Sequence, residues 1–210
     1  MTKMKKDHFD KNFIDLKLKL QYDKTYLFLQ RFLNKHSKFK EIEKMGKIYS
    51  YTRYMLNLPE KKRLKPQGKT RGLMFIGINP SERSKLENIW EDSYGKYFGE
   101  FLGEADIDIS KIWITNLYKY PTENNRPLTD REISTGKLEL LYEIEYVNPI
   151  LIIALGKQVM ETLGSKLYQF VEYKRRPLFG MNHPGYINRI GGENKKEFIK
   201  QLKRIKKYER

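Results

Sequence analysis

The sequence predicts an α/β protein: a three-layer α/β/α sandwich around a short central parallel sheet of four strands, preceded by a basic helical extension. Three observations carry this reading. Four short apolar or β-rich runs, at residues 72–78, 112–115, 150–155 and, more weakly, 178–181, are separated by stretches of helical periodicity, as in repeated strand–helix–strand units. The first three lack polar alternation, the pattern of strands covered on both faces. The charge is also uneven: residues 1–71 hold 20 Lys and Arg against 7 Asp and Glu, a net of +13 out of +16 for all 210 residues. Residues 72–210 are therefore close to neutral, and two parts are expected: 1–71, a basic helical extension and loop, and 72–210, an α/β domain.

From Asp7 to His36, Phe9, Phe13, Leu16, Leu20, Leu27, Phe28 and Phe32 recur mostly at helical spacing, predicting one or two amphipathic helices whose apolar face packs on the main domain. A second helical stretch covers 39–56. The segment 59–69 then reads as a loop broken by Pro59, Pro66 and Gly68, with the basic cluster Lys61, Lys62, Arg63 and Lys65. Further on, Thr129-Asp130-Arg131-Glu132 fits a capping box opening a helix towards Tyr146. Pro149 delivers the chain into the third strand, and Gly156 turns that strand into a helix over 158–163 that Gly164 ends. A basic amphipathic helix is expected over 195–210. There is no internal repeat and no low-complexity tract.

Composition excludes much chemistry. With no cysteine there is no disulfide framework, no thiolate nucleophile, and no cysteine-ligated zinc or iron-sulfur cluster. The three histidines are widely separated and give no metal-ligand spacing; Walker A and GxGxxG fingerprints are absent. The chain opens on charge, and no apolar run approaches the roughly 18 residues of a membrane span, so an intracellular protein without a membrane partner is expected. A basic module beside a near-neutral domain suits a polyanion, because cations that neutralise phosphates release condensed counterions. Lysine enrichment also has bland sources, such as an AT-rich genome or growth at high temperature.

Two segments stand where buried strands should stop: Gly77-Ile78-Asn79-Pro80-Ser81 and Asn182-His183-Pro184-Gly185-Tyr186. In an open α/β sheet ligands bind outside the carboxyl ends of the strands, so both fall in one candidate crevice. Together they resemble motifs A and B of the uracil-DNA glycosylase superfamily. The first is similar to the GINPG form of the mismatch-specific enzymes and the GMNPG form of the single-strand-selective group. Between them, residues 92–99 resemble the family segment ending Pro-Phe-Val-Gly. Ile114-Thr115-Asn116-Leu117-Tyr118-Lys119-Tyr120, with the proline and Asn-Arg-x-x-Thr that follow, resembles ITNVVKC of the iron-sulfur branch. Leu155-Gly156-Lys157-Gln158 is similar to its LGATA turn. The resemblance covers residues 72–190, in the family's order.

The departures matter as well. Tyr120 stands where the iron-sulfur branch has a cluster cysteine, Gly136 falls at another, and the N-terminal Cys-x-x-Cys is missing. The cluster is predicted absent, no cofactor is expected, and the basic extension is read as replacing its scaffolding and DNA-contact role. Motif A has Asn79 in the mismatch-type pattern rather than the Glu of the GEAPG form, which bears on substrate choice more than on reaction class.

The resemblance implies roles. Asn79 orients a water through its side-chain oxygen, and His183 donates a hydrogen bond to the leaving base, for which a neutral imidazole suffices. Gly77, Ile78 and Ser81 line the base pocket, Phe98 stacks on the flipped base, and Asn116 offers donor and acceptor to a pyrimidine edge. Ser81 replaces a bulky Tyr of the uracil-strict branch, so a 5-substituted pyrimidine fits. Tyr186 and Arg189 belong to a loop entering the minor groove; Lys119 and Arg126 hold the DNA backbone.

Each residue also has a bland reading. Asn-Pro is a common turn, Phe98 a core residue, Asn116 or Ser81 a helix cap, and the Lys61–Lys69 segment a solvated linker. His183 is the sole histidine outside the N-terminal third. The expectation is a monomeric, cofactor-free, monofunctional DNA glycosylase, since no lysine is placed for Schiff-base chemistry. The alternative is a catalytically weak glycosylase-like DNA-binding module, a clamp or modified-base reader. A third reading is an RNA or nucleotide N-glycosidase.

Overall fold

The computed structural model describes residues 67–82 and 93–209. The expected N-terminal helices and the cluster Lys61, Lys62, Arg63 and Lys65 lie outside the described residues.

Among the described residues six strands form one sheet: β1 (Gln67–Gly68), β2 (Leu73–Gly77), β3 (Ile112–Asn116), β4 (Leu151–Leu155), β5 (Phe170–Tyr173) and β6 (Arg176–Met181), in the order β1-β3-β2-β4-β6-β5. The four central strands are parallel and are the four expected from sequence, while β1 and β5 are antiparallel edges. Both edges escape an apolar-run reading. β1 has two residues and no apolar side chain; β5 is only half-buried and joins β6 through Lys174 and Arg175, both at positive φ (52° and 64°) without the Asn or Gly that usually marks such a turn. Gln67 and Gly68 pair with Ile114 and Trp113, so the sheet takes in residues that the sequence reading placed in the basic loop.

Register and strand periodicity divide the core into two layers. Phe75 pairs with Ile114 and Ile153, and Ile153 with Phe179. This row faces α1 (Ser93–Glu104), α4 (Pro184–Ile190) and α5 (Gly192–Lys206) through Phe98, Phe101, Leu102, Ile187, Phe198 and Leu202. The alternate row, Trp113, Met74, Ile152 and Leu178, faces α2 (Asp130–Val147) and α3 (Lys157–Leu163) through Leu140, Ile144, Val147, Val159 and Leu163. Each such side chain stabilises the fold by roughly 1.5–3 kcal/mol on burial, which is why β2 and β4 are apolar at every position rather than alternating.

The helix ends follow the sequence signals. Thr129 caps α2 with a full capping box, and Asn148 ends it in the left-handed region at φ 47°. Gly164, at φ 76°, ends α3. One expectation is corrected: Tyr186 and Arg189 do not lie in a loop. They sit on α4, a helix opened by Pro184 at its first position and capped by His183. Among the described residues no helix is long and apolar enough to cross a membrane.

Topology places the site. The chain passes from β2 through α1 to β3 on one side, then through α2 back across to β4 on the other. The winding reverses between β2 and β4, and ligands of such sheets bind at the carboxyl ends beside that reversal.

Candidate active site

At the carboxyl edge, Gly77 pairs with Asn116 and Leu155 with Met181, while Ile76 pairs with Ala154 one step below. Just beyond, Leu117 N donates to Gly77 O at 2.7 Å, Tyr118 N to Ile78 O at 2.9 Å and Gly156 N to Met181 O at 2.8 Å. The chain therefore leaves β2, β4 and β6 side by side. With strands about 4.8 Å apart, the exits carrying Asn79 and His183 stand on either side of Gly156.

Asn79 is half-buried. Its Nδ2 donates to Pro80 O at 3.1 Å and makes a longer contact of 3.5 Å to Thr122 Oγ1, which itself donates to Arg126 O at 2.7 Å. The amide is held by its nitrogen, and Oδ1 accepts nothing from the described residues. Glu82 N donates to Asn125 Oδ1 at 3.0 Å, tying the segment after Ser81, which is exposed, to the 3-10 turn Glu123–Asn125.

His183 is fixed from several directions. Its Nδ1 accepts from Gly185 N at 3.1 Å, so the proton of a neutral ring resides on Nε2. The Tyr94 ring lies 5.3 Å away at 31°. Gly156, at φ 91°, leaves room for the histidine, since a Cβ there would come 3.2 Å from His183 Cβ. Burial, and secondarily the positive charge of Arg189, push the imidazole down from 6.5 to about 4. At neutral pH it is an uncharged donor through Nε2.

Asn116 is only 7% exposed, and its carboxamide makes no hydrogen bond with the described residues. It lies over Gly77, where a Cβ would stand 2.3 Å from Asn116 Oδ1. A nearly buried amide without partners among the described residues, at the carboxyl edge of the sheet, has its hydrogen-bonding capacity open to a ligand.

The model of the uracil-DNA glycosylase superfamily matches residues 66–206, more than half of the chain. The protein belongs to that superfamily. It is also 27% identical over 127 residues, 56% of this chain, to the type-4 uracil-DNA glycosylase of Thermotoga maritima, and the match spans 66% of that relative's length. The superfamily is one of DNA glycosylases, hydrolases of base excision repair that act on DNA.

Within this superfamily framework three expected roles change. Phe98 is completely buried in the core, packed edge-on to Phe75 at 5.4 Å and beneath Tyr94 at 5.7 Å. It presents no face to a base. Tyr94, half-buried against His183, is the aromatic that sequence reasoning missed; its spacing of four residues from Phe98 on α1 was the available signal. Lys119 is not on the DNA surface either. It is 0% exposed, donates to Asn116 O and pairs with Glu143 Oε2 at 2.7 Å, so no phosphate can reach it. Arg126 keeps a half-exposed guanidinium, but both terminal nitrogens bind the Glu132 carboxylate at 2.8 Å. That pair, with hydrogen bonds from Thr129, holds Glu132 down at about 2. Tyr186 is 46% exposed and Arg189 is exposed on α4.

The residues do not fit an iron-sulfur cluster of the kind the resemblance raises. Tyr120 is packed in the core at 6% exposure, and a Cβ on Gly136 would stand 2.4 Å from Leu117 O, which leaves no space for a thiolate side chain. The whole chain has no cysteine to supply one.

Proposed function

We propose that the protein is a monofunctional, cofactor-free and monomeric DNA glycosylase, which hydrolyses the N-glycosidic bond of uracil or a related modified pyrimidine flipped out of DNA and leaves an abasic site. The observation that carries this reading is the state of His183: neutral, with Nδ1 occupied by Gly185 N and the proton left on Nε2.

As the bond between the pyrimidine nitrogen and the sugar C1′ breaks, its electron pair goes to the base and the sugar gains oxocarbenium character. The His183 Nε2–H hydrogen-bonds the developing oxyanion on the pyrimidine; one such donor in a dry site lowers a barrier by about 2.7–4 kcal/mol. Asn79 Oδ1 accepts from a water and aims its oxygen at C1′. An amide is too weak a base to remove the proton, which ends on the departing pyrimidine. Asn116 reads the base edge with one carbonyl and one amide, the complement of uracil. The small, exposed Ser81 leaves space for a 5-methyl or larger group, so thymine and 5-substituted pyrimidines are within the substrate range. The scheme uses no lysine and forms no Schiff base.

The test is excision from end-labelled oligonucleotides carrying uracil, thymine opposite guanine, hypoxanthine or 5-hydroxymethyluracil, single- and double-stranded, followed by alkali. Product that disappears in Asn79→Ala and His183→Ala, with DNA affinity kept, is the expected result. Absence of product from every substrate, with DNA still bound, would replace this reading with that of a base-reading or clamp module.

A further inference from the structure

The Lys119–Glu143 pair is an ion pair inside the core, and neither partner has a place in the chemistry above. All its members are buried: Lys119 and Thr115 at 0%, Trp113 at 3% and Glu143 at 4% exposure. Glu143, on α2, accepts from Trp113 Nε1 at 2.6 Å through Oε1. Through Oε2 it accepts from Thr115 Oγ1 at 3.0 Å and pairs with Lys119 Nζ at 2.7 Å. One carboxylate thus gathers residues from inside β3 and from the loop just after it.

Stability does not account for such a network. Desolvating two charges offsets most of their attraction, and apolar residues of similar volume usually serve a core as well or better. What the pair adds is direction. Lys119 Nζ also donates to the backbone carbonyl of Asn116, while the next two amides, Leu117 N and Tyr118 N, are held by Gly77 O and Ile78 O at 2.7 and 2.9 Å. The main chain at Asn116 is therefore pinned by β2 on one side and by a buried ammonium on the other. The Asn116 carboxamide itself has no partner among the described residues. A reading group so fixed binds its base without first having to be ordered.

We infer that Lys119 and Glu143 are positioning residues for base recognition: the buried pair holds Asn116 in the register that separates a uracil-like base from the other bases. This rests on the proposed function, in which Asn116 reads the pyrimidine edge. It assigns to Lys119 a role inside the protein rather than at a phosphate.

Removing one partner strands a buried charge and endangers folding. The informative variant is therefore the double change Lys119→Met with Glu143→Gln, which removes both charges at nearly constant volume and leaves Trp113 an acceptor. The reference is Asn116→Ala. Two quantities are read on the full chain: thermal stability, and the ratio of affinities for a duplex with one 2′-fluoro-deoxyuridine, whose glycosidic bond resists cleavage, and for the same duplex without it. The expected result is a double variant with a melting temperature near the parent's and unchanged affinity for undamaged duplex, whose ratio falls at least fivefold, towards that of Asn116→Ala. Adding the double change to Asn116→Ala should lower the ratio no further.

A double variant that is folded and keeps the parent's ratio, while Asn116→Ala loses it, overturns this inference alone. So does a loss that adds fully to that of Asn116→Ala. If Asn116→Ala itself keeps the parent's ratio, the base-reading role falls, and the inference with it. If the double variant does not fold, Lys119→Leu with Glu143→Gln, which also strands no charge, takes its place, and the same two quantities decide for or against the inference in the same way.

Discussion

Gly77 lies beneath the carboxamide of Asn116, so closely that a Cβ at position 77 would stand 2.3 Å from Asn116 Oδ1. A glycine is required there for the approach of a side chain, not for an unusual backbone. Gly77→Ala should push the Asn116 carboxamide aside, at little cost in stability because the atom it meets is the end of a side chain. At a temperature where the variant stays folded, we expect uracil excision to fall at least tenfold while affinity for undamaged duplex holds. Full excision by a folded Gly77→Ala would show that Asn116 is not needed where it stands.

His183 makes a pH prediction with a definite sign. Its folded-state value of about 4 lies below the ordinary 6.5, chiefly through burial, so between these limits the unfolded chain binds more protons than the folded one. Stability from the neutral imidazole is complete above about 6.5 and is lost as pH falls towards 4, by roughly 3 kcal/mol in full. Melting temperature should decline across that window, and His183→Asn should flatten the decline. Excision by the parent should show no loss from His183 protonation between pH 8 and about 5; an inflection near 6.5 that His183→Asn abolishes would contradict the buried, neutral donor.

Phe98 and Tyr94 separate core from site on one helix. Phe98→Ala removes a wholly buried ring from the contact with Phe75 and should cost about 3–5 kcal/mol. Tyr94→Ala removes the ring packed at a tilt against His183 and should cost less stability but more excision. Paired melting curves and single-turnover rates decide this. The reverse ranking, with Phe98→Ala stable and inactive, would return the stacking role to Phe98.

These two aromatics also show what the sequence could and could not reveal. The four parallel strands, the α2 capping box and the Gly164 stop were legible because each depends on a local pattern: an apolar run, a Thr-x-x-Glu spacing, a glycine after a helix. The placement of Asn79, His183 and Asn116 at one edge was legible because topology sends strand ends there. The fates of Phe98 and Lys119 were not, since they depend on partners distant in sequence. Nothing near Lys119 announces that Glu143, on another helix, will bury it. An apolar residue on an amphipathic helix can face either the core or a ligand, and only the packed structure settles which. The β5–β6 turn was hidden for a different reason: Lys174 and Arg175 take up positive φ that side chains of their type seldom adopt.

Arg126 and Glu132 test whether a cation assigned to DNA is occupied by the fold. The two-pronged contact at 2.8 Å holds Glu132 down to about 2 from 4.5. Because that value is depressed, the stability it confers is complete above pH 4.5 and is lost as pH falls through 2. Arg126→Ala should let Glu132 rise, narrow the acid-stable range and lower the melting temperature modestly, since the guanidinium is half exposed and the solvent screens it. DNA affinity should change less than twofold. A clear loss of affinity at unchanged melting temperature would restore Arg126 to the phosphate backbone.

Arg189 is tied to His183 by charge as well as by helix α4. Its cation is the second cause of the lowered imidazole value, so Arg189→Ala should raise that value, visible as a shift of the His183 ring resonances towards higher pH in an NMR titration. If Arg189 also meets a phosphate, as proposed from its exposed place beside Tyr186, the same variant should weaken binding to all duplexes alike and reduce the slope of log affinity against log salt by about 1. The two effects are separable because Arg189→Lys keeps the charge near both the imidazole and the phosphate, and should preserve both the titration and the salt slope. A salt slope unchanged in Arg189→Ala, with the imidazole shift present, would confine Arg189 to tuning His183 and leave DNA contact on this helix to Tyr186.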